Sequence, residues 1–443
     1  MTAPTTTQVF TCDSASISFP SERQLEVSSQ NTLASLQAAV HDLISCQIPV
    51  VFPTETVYGL AAPALSSSAV SQIFSIKGRP PDNPLIVHVS SVAMLYSLLP
   101  SSFVMPSSYS ALIKAFWPGP LTLLFPASPQ IPAIITASHS TVAIRIPSHP
   151  VARALIVLAD APLAAPSANT SGKPSPTKAE HVLHDLSGKI RVILDGGPCE
   201  VGMESTVVNG LANDGVLRVL RPGGVTVEDI ERVLAENVES GRDPPRVLVH
   251  KRDYEDEMAE LAPTTPGMKY RHYSPSVPVV LLMTSAPPLG QTPASLRDVF
   301  SAVLSSYPPI KSIKLGLLAP SDSLLARLPT RLPAFAELEI DWHFFALGPL
   351  ADPSLTAQRL FDGLLTLEKE GADLILVEGI DEAREGLAVM NRIRKAAGEI
   401  HWVNLDLSTA VISSDSAVSS VLGTSSVAQS LLLCSLLFLR CRP

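Results

Sequence analysis

Six short stretches hold the side chains that could do chemistry. Lys77-Gly78-Arg79-Pro80-Pro81-Asp82-Asn83-Pro84 sets two cations two residues apart, and the prolines after Arg79 forbid a continuing helix and push Arg79 towards extended geometry. In extended chain, positions i and i+2 face one way, so Lys77 and Arg79 would offer a point charge and a planar fork to one anion such as a triphosphate. A solvated basic turn is the plain alternative, and the adjoining Gly78, Asn83 and His88 weigh against it. In Ala164-Ala165-Pro166-Ser167-Ala168-Asn169-Thr170-Ser171-Gly172-Lys173, Ser167 and Asn169 repeat the i, i+2 spacing. Both are small enough to let phosphate or ribose approach the backbone. Gly172-Lys173 does not complete a P-loop, because position 167 is Ser rather than Gly and Pro174 stands where a magnesium-binding hydroxyl would be needed.

Phe52-Pro53-Thr54-Glu55-Thr56-Val57-Tyr58-Gly59-Leu60 runs a buried strand into a turn dense in hydroxyls, which can point into a crevice and hold a ligand. A capped strand-to-helix loop explains that stretch equally well. Arg145, flanked by Ile144 and Ile146, is costly to bury unless it meets an anion, so it is a natural clamp for a substrate carboxylate. Glu204-Ser205-Thr206 and Arg221-Pro222-Gly223-Gly224 complete the polar set. His181-x-x-His184-Asp185 lacks a third ligand at a telling spacing and reads as a solvated helix face, so no metal site is assigned. No nucleophile elbow or Ser-His-Asp signature is present.

Positioning these residues requires alternating elements. After a Thr/Ser/Pro-rich stretch over 1–28, read as a flexible arm, a helix capped by Asn31 or Thr32 runs to just before Pro49. Short β-rich runs at 49–52, 85–89, 121–125, 142–146 and 191–194 then alternate with helical segments at 67–76, 91–99, 109–116, 149–159, 177–186 and 226–236. That pattern predicts an α/β domain over 29–237 with a largely buried mixed sheet. Residues 238–276, rich in Pro, Gly and charge, read as an interdomain linker. A second, smaller α/β domain spans 277–400, with strands at 277–283, 312–318, 337–345 and 373–378 and helices at 295–305, 355–369 and 382–397. Residues 401–443 form an atypical Ser/Val/Ala-rich tail.

Length and composition agree with this division. A chain of 443 residues, 46% hydrophobic and only 16% charged, has material for at least two buried cores. The net charge of −9 argues against broad coating of nucleic acid, and residues 31–235 carry 12 Lys and Arg against 13 Asp and Glu. Five scattered cysteines without a Cys-x-x-Cys pair point to a reducing compartment. With no leader-like start, and an apolar run at 431–439 far short of the roughly 20 residues a membrane span needs, the expected location is cytoplasmic.

Taken together, Pro53 to Leu60, Lys77-Gly78-Arg79-Pro80, Asn83-Pro84-Leu85, Trp117-Pro118-Gly119-Pro120-Leu121-Thr122, Ala143-Ile144-Arg145-Ile146-Pro147, Pro166-Ser167-Ala168-Asn169 and Glu204-Ser205-Thr206 resemble the YrdC family. The further stretch Pro266-Gly267-Met268-Lys269-Tyr270-Arg271-His272-Tyr273-Ser274-Pro275, followed by a second α/β domain, is similar to its long two-domain form. The resemblance implies a twisted mixed-sheet domain with a large cavity, a gating linker and a Rossmann-like second domain. It implies synthesis of threonylcarbamoyl-AMP from L-threonine, bicarbonate and ATP, with magnesium arriving on the ATP, for later transfer to tRNA by a threonylcarbamoyl transferase machinery. By position, Lys77, Arg79, Ser167 and Asn169 match the family's nucleotide tetrad, with Asn83, Thr141, Arg221, His272 and Tyr273 also on the ATP side. Thr56, His88, Arg145, Ala165 and Ser205 match its threonine contacts. Double-stranded RNA binding without catalysis is the rival that the same resemblance carries. Carbamoyl transfer of the hydrogenase-maturation kind is disfavoured, since the acylphosphatase unit and zinc motifs that precede the domain there are not found ahead of it here.

Overall fold

The computed structural model describes residues 6–21, 24–212, 214–238, 243–256, 263–266, 272–305, 311–332, 334–335 and 338–404. Residues 267–271 of the expected gate, and the tail beyond 404, lie outside the described residues. The first domain contributes strands β1 (Gln8–Thr11), β2 (Ile17–Ser21), β3 (Gln24–Val27), β4 (Val50–Phe52), β5 (Gly59–Pro63), β6 (Ile86–His88) and β7 (Leu121–Pro126). These are followed by β8 (Thr141–Arg145), β9 (Leu163–Ala164), β10 (Val192–Asp195), β11 (Thr206–Asn209), β12 (Val216–Arg221) and β13 (Arg246–Val249). Its helices are α1 (Gln30–Val40), α2 (Ser67–Lys77), α3 (Val92–Leu98), α4 (Ser107–Phe116), α5 (Ala133–Thr136), α6 (Pro150–Ala159), α7 (Ala179–Leu186) and α8 (Val227–Glu236).

Among the described residues these strands form one eleven-stranded mixed sheet, in the order β1-β10-β4-β5-β9-β6-β8-β7-β11-β12-β13, with β2 and β3 as a separate hairpin. The middle strands are buried along their whole length, as Val50–Phe52 and Gly59–Pro63 show, because helices cover both faces. The hydroxyl of Ser29 caps α1 by accepting from the Thr32 amide at 3.2 Å, two or three positions before the cap expected from sequence. Helix α2 is capped by Ser66 and stopped by Gly78, whose φ of 60° is the left-handed turn that ends a helix with little steric cost. Two expectations are corrected at the sheet's edges. The presumed arm is ordered in β1, which pairs in parallel with β10 and extends the sheet, while Asp13 and Thr32 tie it to α1. The presumed linker holds β13, which pairs in parallel with β12 and closes the other edge.

The second domain is a seven-stranded, mainly parallel sheet in the order β15-β20-β14-β19-β16-β18-β17. Its strands are β14 (Val279–Met283), β15 (Ala294–Ser295), β16 (Ser312–Ala319), β17 (Ala334–Phe335), β18 (Leu338–Ala346), β19 (Leu374–Glu378) and β20 (Glu399–Asn404). Helices α9 (Leu296–Ser305), α10 (Leu328–Arg331), α11 (Pro353–Lys369) and α12 (Glu385–Ala396) accompany them. Strand β20 carries the domain past residue 400, where the tail was expected to start, because it pairs with β14 beside the core. That core includes Val57, Met203 and Tyr273 from outside the domain, packed with Leu360, Phe361 and Met390. The domains therefore share apolar surface. Among the described residues no helix is long and apolar enough to cross a membrane.

Candidate active site

Strand ends and loops of the first domain converge on a crevice of about 50 Å³, lined by Thr56, His88, Arg145, Ala165 and Ser205 together with Arg79, Ser167, Arg221, His272 and Tyr273. Ten of the fourteen residues singled out in the sequence thus line one crevice. The crevice is small beside the expected large cavity, since 50 Å³ holds a few waters, and Pro266, His272 and Tyr273 are part of its lining.

Arg145, at the end of β8, is buried and meets an anion, as its isolation in an apolar strand requires. That anion is internal. Nη1 of Arg145 pairs with Glu55, Nε donates to Nε2 of His88 at 3.0 Å, and Nη2 donates to Oγ1 of Thr56 at 3.0 Å. Nη1 also reaches the Gly119 carbonyl at 3.4 Å. Of the guanidinium's five N–H groups, one Nη2–H is then left for a ligand, so Arg145 offers a single directed bond rather than a free fork. Because Nε2 of His88 accepts a hydrogen bond, the ring is neutral there. Burial first, and the Arg145 charge second, push its pKa well below the usual histidine range. Glu55 in turn accepts from the Ser148 amide at 3.1 Å, which fixes the carboxylate that fixes the arginine.

On the opposite wall, Oγ of Ser205 lies 2.7 Å from Oγ1 of Thr122. Arg221, at the end of β12, donates to the Ser205 carbonyl through Nε at 3.2 Å and Nη2 at 2.8 Å, and to Oγ at 3.3 Å. Its Nη1 donates to the Pro266 carbonyl at 3.0 Å, tying the linker to this wall. Tyr273 is fully enclosed, with its ring centroid 5.2 Å from that of Phe361. His272 is partly buried, and its Nδ1 finds no hydrogen-bond partner among the described residues. Desolvation holds its pKa down to about 3 despite the nearby Glu204.

The nucleotide candidates are arranged differently from the sequence expectation. Lys77 is the last helical residue of α2, not part of an extended run, so it and Arg79 leave the Gly78 turn separately. Nζ of Lys77 donates to the Ser167 carbonyl at 2.5 Å and also to the Asn169 carbonyl, so the ammonium sits behind the Ser-Ala-Asn loop and holds its shape. Burial, then the Arg79 charge, lowers its pKa well below the ordinary lysine value. Arg79 donates to the carbonyls of Asn83 at 3.1 Å and Pro84 at 2.9 Å, and burial brings its pKa down to about 9. Asn83 is buried with Oδ1 lacking a hydrogen-bond partner among the described residues. Asn169 donates from Nδ2 to the Thr170 and Lys173 carbonyls and lines a neighbouring cleft of about 590 Å³ between α7 and α11. Thr141, at the far end of β8 and opposite Pro126, does not line the crevice.

The expected solvated His181 face is only partly so: His184 is exposed, but His181 and Asp185 are half-buried. The Nε2 of His181 and the Nζ of Lys178 lie 3.3 and 2.9 Å from Oδ1 of Asp362 on α11, forming an ionic bridge between the domains. Asp185 accepts from the Thr170 amide at 2.5 Å and its hydroxyl at 3.0 Å, bracing the loop that carries Asn169. Among the described residues no group of three or more His, Cys, Asp or Glu is gathered in metal-binding geometry.

Glu55 and Glu204 were left without roles in the sequence. Each is a lone acid in an otherwise uncharged buried stretch, just as Arg145 is a lone cation in an apolar strand, and such isolated opposite charges pair. Arg392 was missed altogether, although it falls on the face of α12 that holds Ala388, Val389, Ile393 and Ala396, a stripe that should contain no charge.

A mixed-sheet domain with a cation-lined crevice that linker residues also line, followed by a second, mainly parallel α/β domain, defines a two-domain α/β protein. Residues 43–223 match the Sua5/yciO/yrdC family model, described as telomere recombination, and residues 225–398 match that of the threonylcarbamoyl-AMP synthase C-terminal domain. The chain is 41% identical over 426 residues to the threonylcarbamoyl-AMP synthase of Schizosaccharomyces pombe, covering 89% of this chain and 98% of that one. The corresponding protein of Pyrococcus abyssi is 40% identical over 349 residues, covering 79% and 90%. The solved structure of P. abyssi Sua5 complexed with L-threonine superposes with a TM-score of 0.67 at 36% identity, covering 90% of this chain and all of that one. The chain belongs to the threonylcarbamoyl-AMP synthase family, in its long two-domain form.

Proposed function

We propose that the protein is an L-threonylcarbamoyladenylate synthase, a nucleotidyltransferase that converts L-threonine, bicarbonate and ATP to threonylcarbamoyl-AMP, pyrophosphate and water. The observation that carries the reading is the convergence of Thr56, His88, Arg145, Ala165 and Ser205 with Arg79, Ser167 and Arg221 on one crevice, in a chain of this family. The relatives' names supply the product, and threonine is the ligand named for the P. abyssi structure.

In this reading the threonine carboxylate takes the remaining N–H of Arg145, and the hydroxyls of Thr56 and Ser205 flank it. The amine attacks the carbon of bicarbonate-derived CO2, forming the N–C bond and losing a proton. A carbamate oxygen then attacks the α-phosphorus, and the bond from that phosphorus to the bridging oxygen of the β-phosphate breaks, so pyrophosphate leaves. No protein nucleophile is required. In this proposal side chains act by positioning and by neutralising charge: Arg79 and Arg221, which line the crevice, would face the substrates' phosphates, while Lys77 holds the Ser167-Asn169 loop from behind. Magnesium, in the same proposal, enters as part of the Mg-ATP substrate.

The eventual acceptor in this proposal is tRNA, reached through a separate threonylcarbamoyl transferase. The free thiols Cys12, Cys46 and Cys199 fit a reducing compartment such as the cytoplasm. The test is product identification by liquid chromatography and mass spectrometry after incubation with Mg-ATP, bicarbonate and isotopically labelled threonine. A threonylcarbamoyl adenylate carrying the label supports the reading, and AMP without it contradicts it.

A further inference from the structure

The second domain has no chemistry assigned to it, yet it supplies one of the most completely buried large side chains of the molecule. Arg392 on α12 is fully enclosed. Its Nε and Nη2 donate to Oε2 of Glu204 at 3.2 and 3.1 Å, and its Nη1 donates to the Pro222 carbonyl, next to Arg221. The guanidinium carbon lies 5.7 Å from the centroid of the Tyr273 ring. The other oxygen of Glu204 accepts from Oγ of Ser175 at 2.5 Å.

These bonds form a closed circuit around one candidate threonine contact. Arg392 holds Glu204, Glu204 precedes Ser205, Arg221 holds the Ser205 carbonyl and hydroxyl, and Arg392 grips the backbone beside Arg221. Two further contacts press the same segment onto the second domain. Met203 packs in that domain's core, and Gly202 lies under the backbone of Gln358 on α11, where an added Cβ would be 2.3 Å from the Gln358 oxygen. On the facing wall, Val57, next to Thr56, enters the same core. The bonds from Lys77 and Arg79 to the nucleotide tetrad's loop and neighbouring carbonyls end within the first domain, whereas Tyr273 on the ATP side packs in the second domain's core.

We propose that Arg392 is a positioning residue for the threonine subsite, through which the second domain fixes the direction of Ser205 without touching substrate. The inference rests on the synthase reading and deepens it, giving the second domain a defined part in placing the threonine contact Ser205. Breaking the Arg392–Glu204 pair leaves a buried carboxylate uncompensated and frees the 202–205 segment, while the tetrad keeps its supports.

The experiment measures KM for threonine and for ATP, with direct threonine affinity by calorimetry, in the full chain and in Arg392→Met, Arg392→Lys and the double variant Arg392→Met/Glu204→Gln. The expected result is a threonine KM and Kd raised on the order of 10- to 100-fold in Arg392→Met, with the ATP KM within about 3-fold of wild type. Arg392→Lys recovers part of the loss because it keeps the charge on Glu204. Should Arg392→Met fail to fold, the double variant removes both buried charges and carries the same expectation for threonine. Equal losses for the two substrates, or unchanged threonine affinity with only a lower melting temperature, would overturn the inference. Wild-type protein that binds no threonine would overturn the synthase reading on which it rests.

Discussion

Replacing Arg145 by lysine separates the two halves of the site. The guanidinium pairs with Glu55 while donating to His88 and Thr56, and one remaining Nη2–H faces the crevice. A lysine ammonium at this position keeps the Glu55 pairing, because a point charge needs no fixed direction, but it cannot also reproduce the planar set. The loss specific to threonine is one charge-assisted hydrogen bond, about 2 kcal/mol, which converts to roughly a 30-fold weaker Kd. The freed acceptors on His88 and Thr56 lower stability as well, and that cost appears in the melting temperature rather than in the ratio of affinities. ATP affinity should change less than about 3-fold, since the Lys77 and Arg79 bonds do not pass through Arg145. Calorimetric titration of the purified variant with each ligand is the assay. Threonine and ATP weakened equally, or threonine affinity left unchanged, would refute the assignment.

Other perturbations test how the site is held. Lys77→Met removes the donor that holds the Ser167 and Asn169 carbonyls, so ATP affinity should fall on the order of 10-fold or more, and ATP binding as tight as wild type in the folded variant would contradict that role. Gly202→Ala sets a Cβ 2.3 Å from the Gln358 oxygen at a φ of +70°, and should destabilise domain docking by about 2–4 kcal/mol, seen as a melting temperature lowered by roughly 2–5 °C. An unchanged melting temperature would mean that the domains do not pack this closely in solution. His272 is held down to about 3, against roughly 6.5 when unfolded. Its contribution is therefore complete above pH 6.5 and is lost as pH falls towards 3, because the unfolded chain takes up a proton that the folded one refuses. Between pH 7 and 5 that group should account for about 2 kcal/mol of lost stability. Urea unfolding of His272→Gln should show a correspondingly shallower decline, and an identical slope would refute the burial argument.

What was legible in the sequence follows from burial. Strands β4, β6, β7, β8 and β10 are short apolar runs bounded by turn residues and lie where that pattern places them. Strand β5, Gly-Leu-Ala-Ala-Pro, has poor β-propensity, and only its pairing with β4 and β9 makes it a strand. Strand β1 sits among Thr, Ser and Pro and is ordered by β10, some 180 residues away, a contact that no local pattern contains. The site shows the same division. An isolated charge in an apolar stretch marks Arg145 as a residue that must meet an anion, and the structure adds an internal one, Glu55, to the external carboxylate proposed for it. The i, i+2 argument for Lys77 and Arg79 failed because Gly78 ends a helix that includes Lys77. The Arg392 contact with Glu204 joins two domains, and the sequence could mark it only as a charge on the wrong face of a helix.

The most direct test of the account is pyrophosphate release by the purified full-length chain with Mg-ATP, omitting threonine or bicarbonate in turn. The account predicts release that requires both, and release independent of threonine, or none from folded protein with every substrate present, would contradict it.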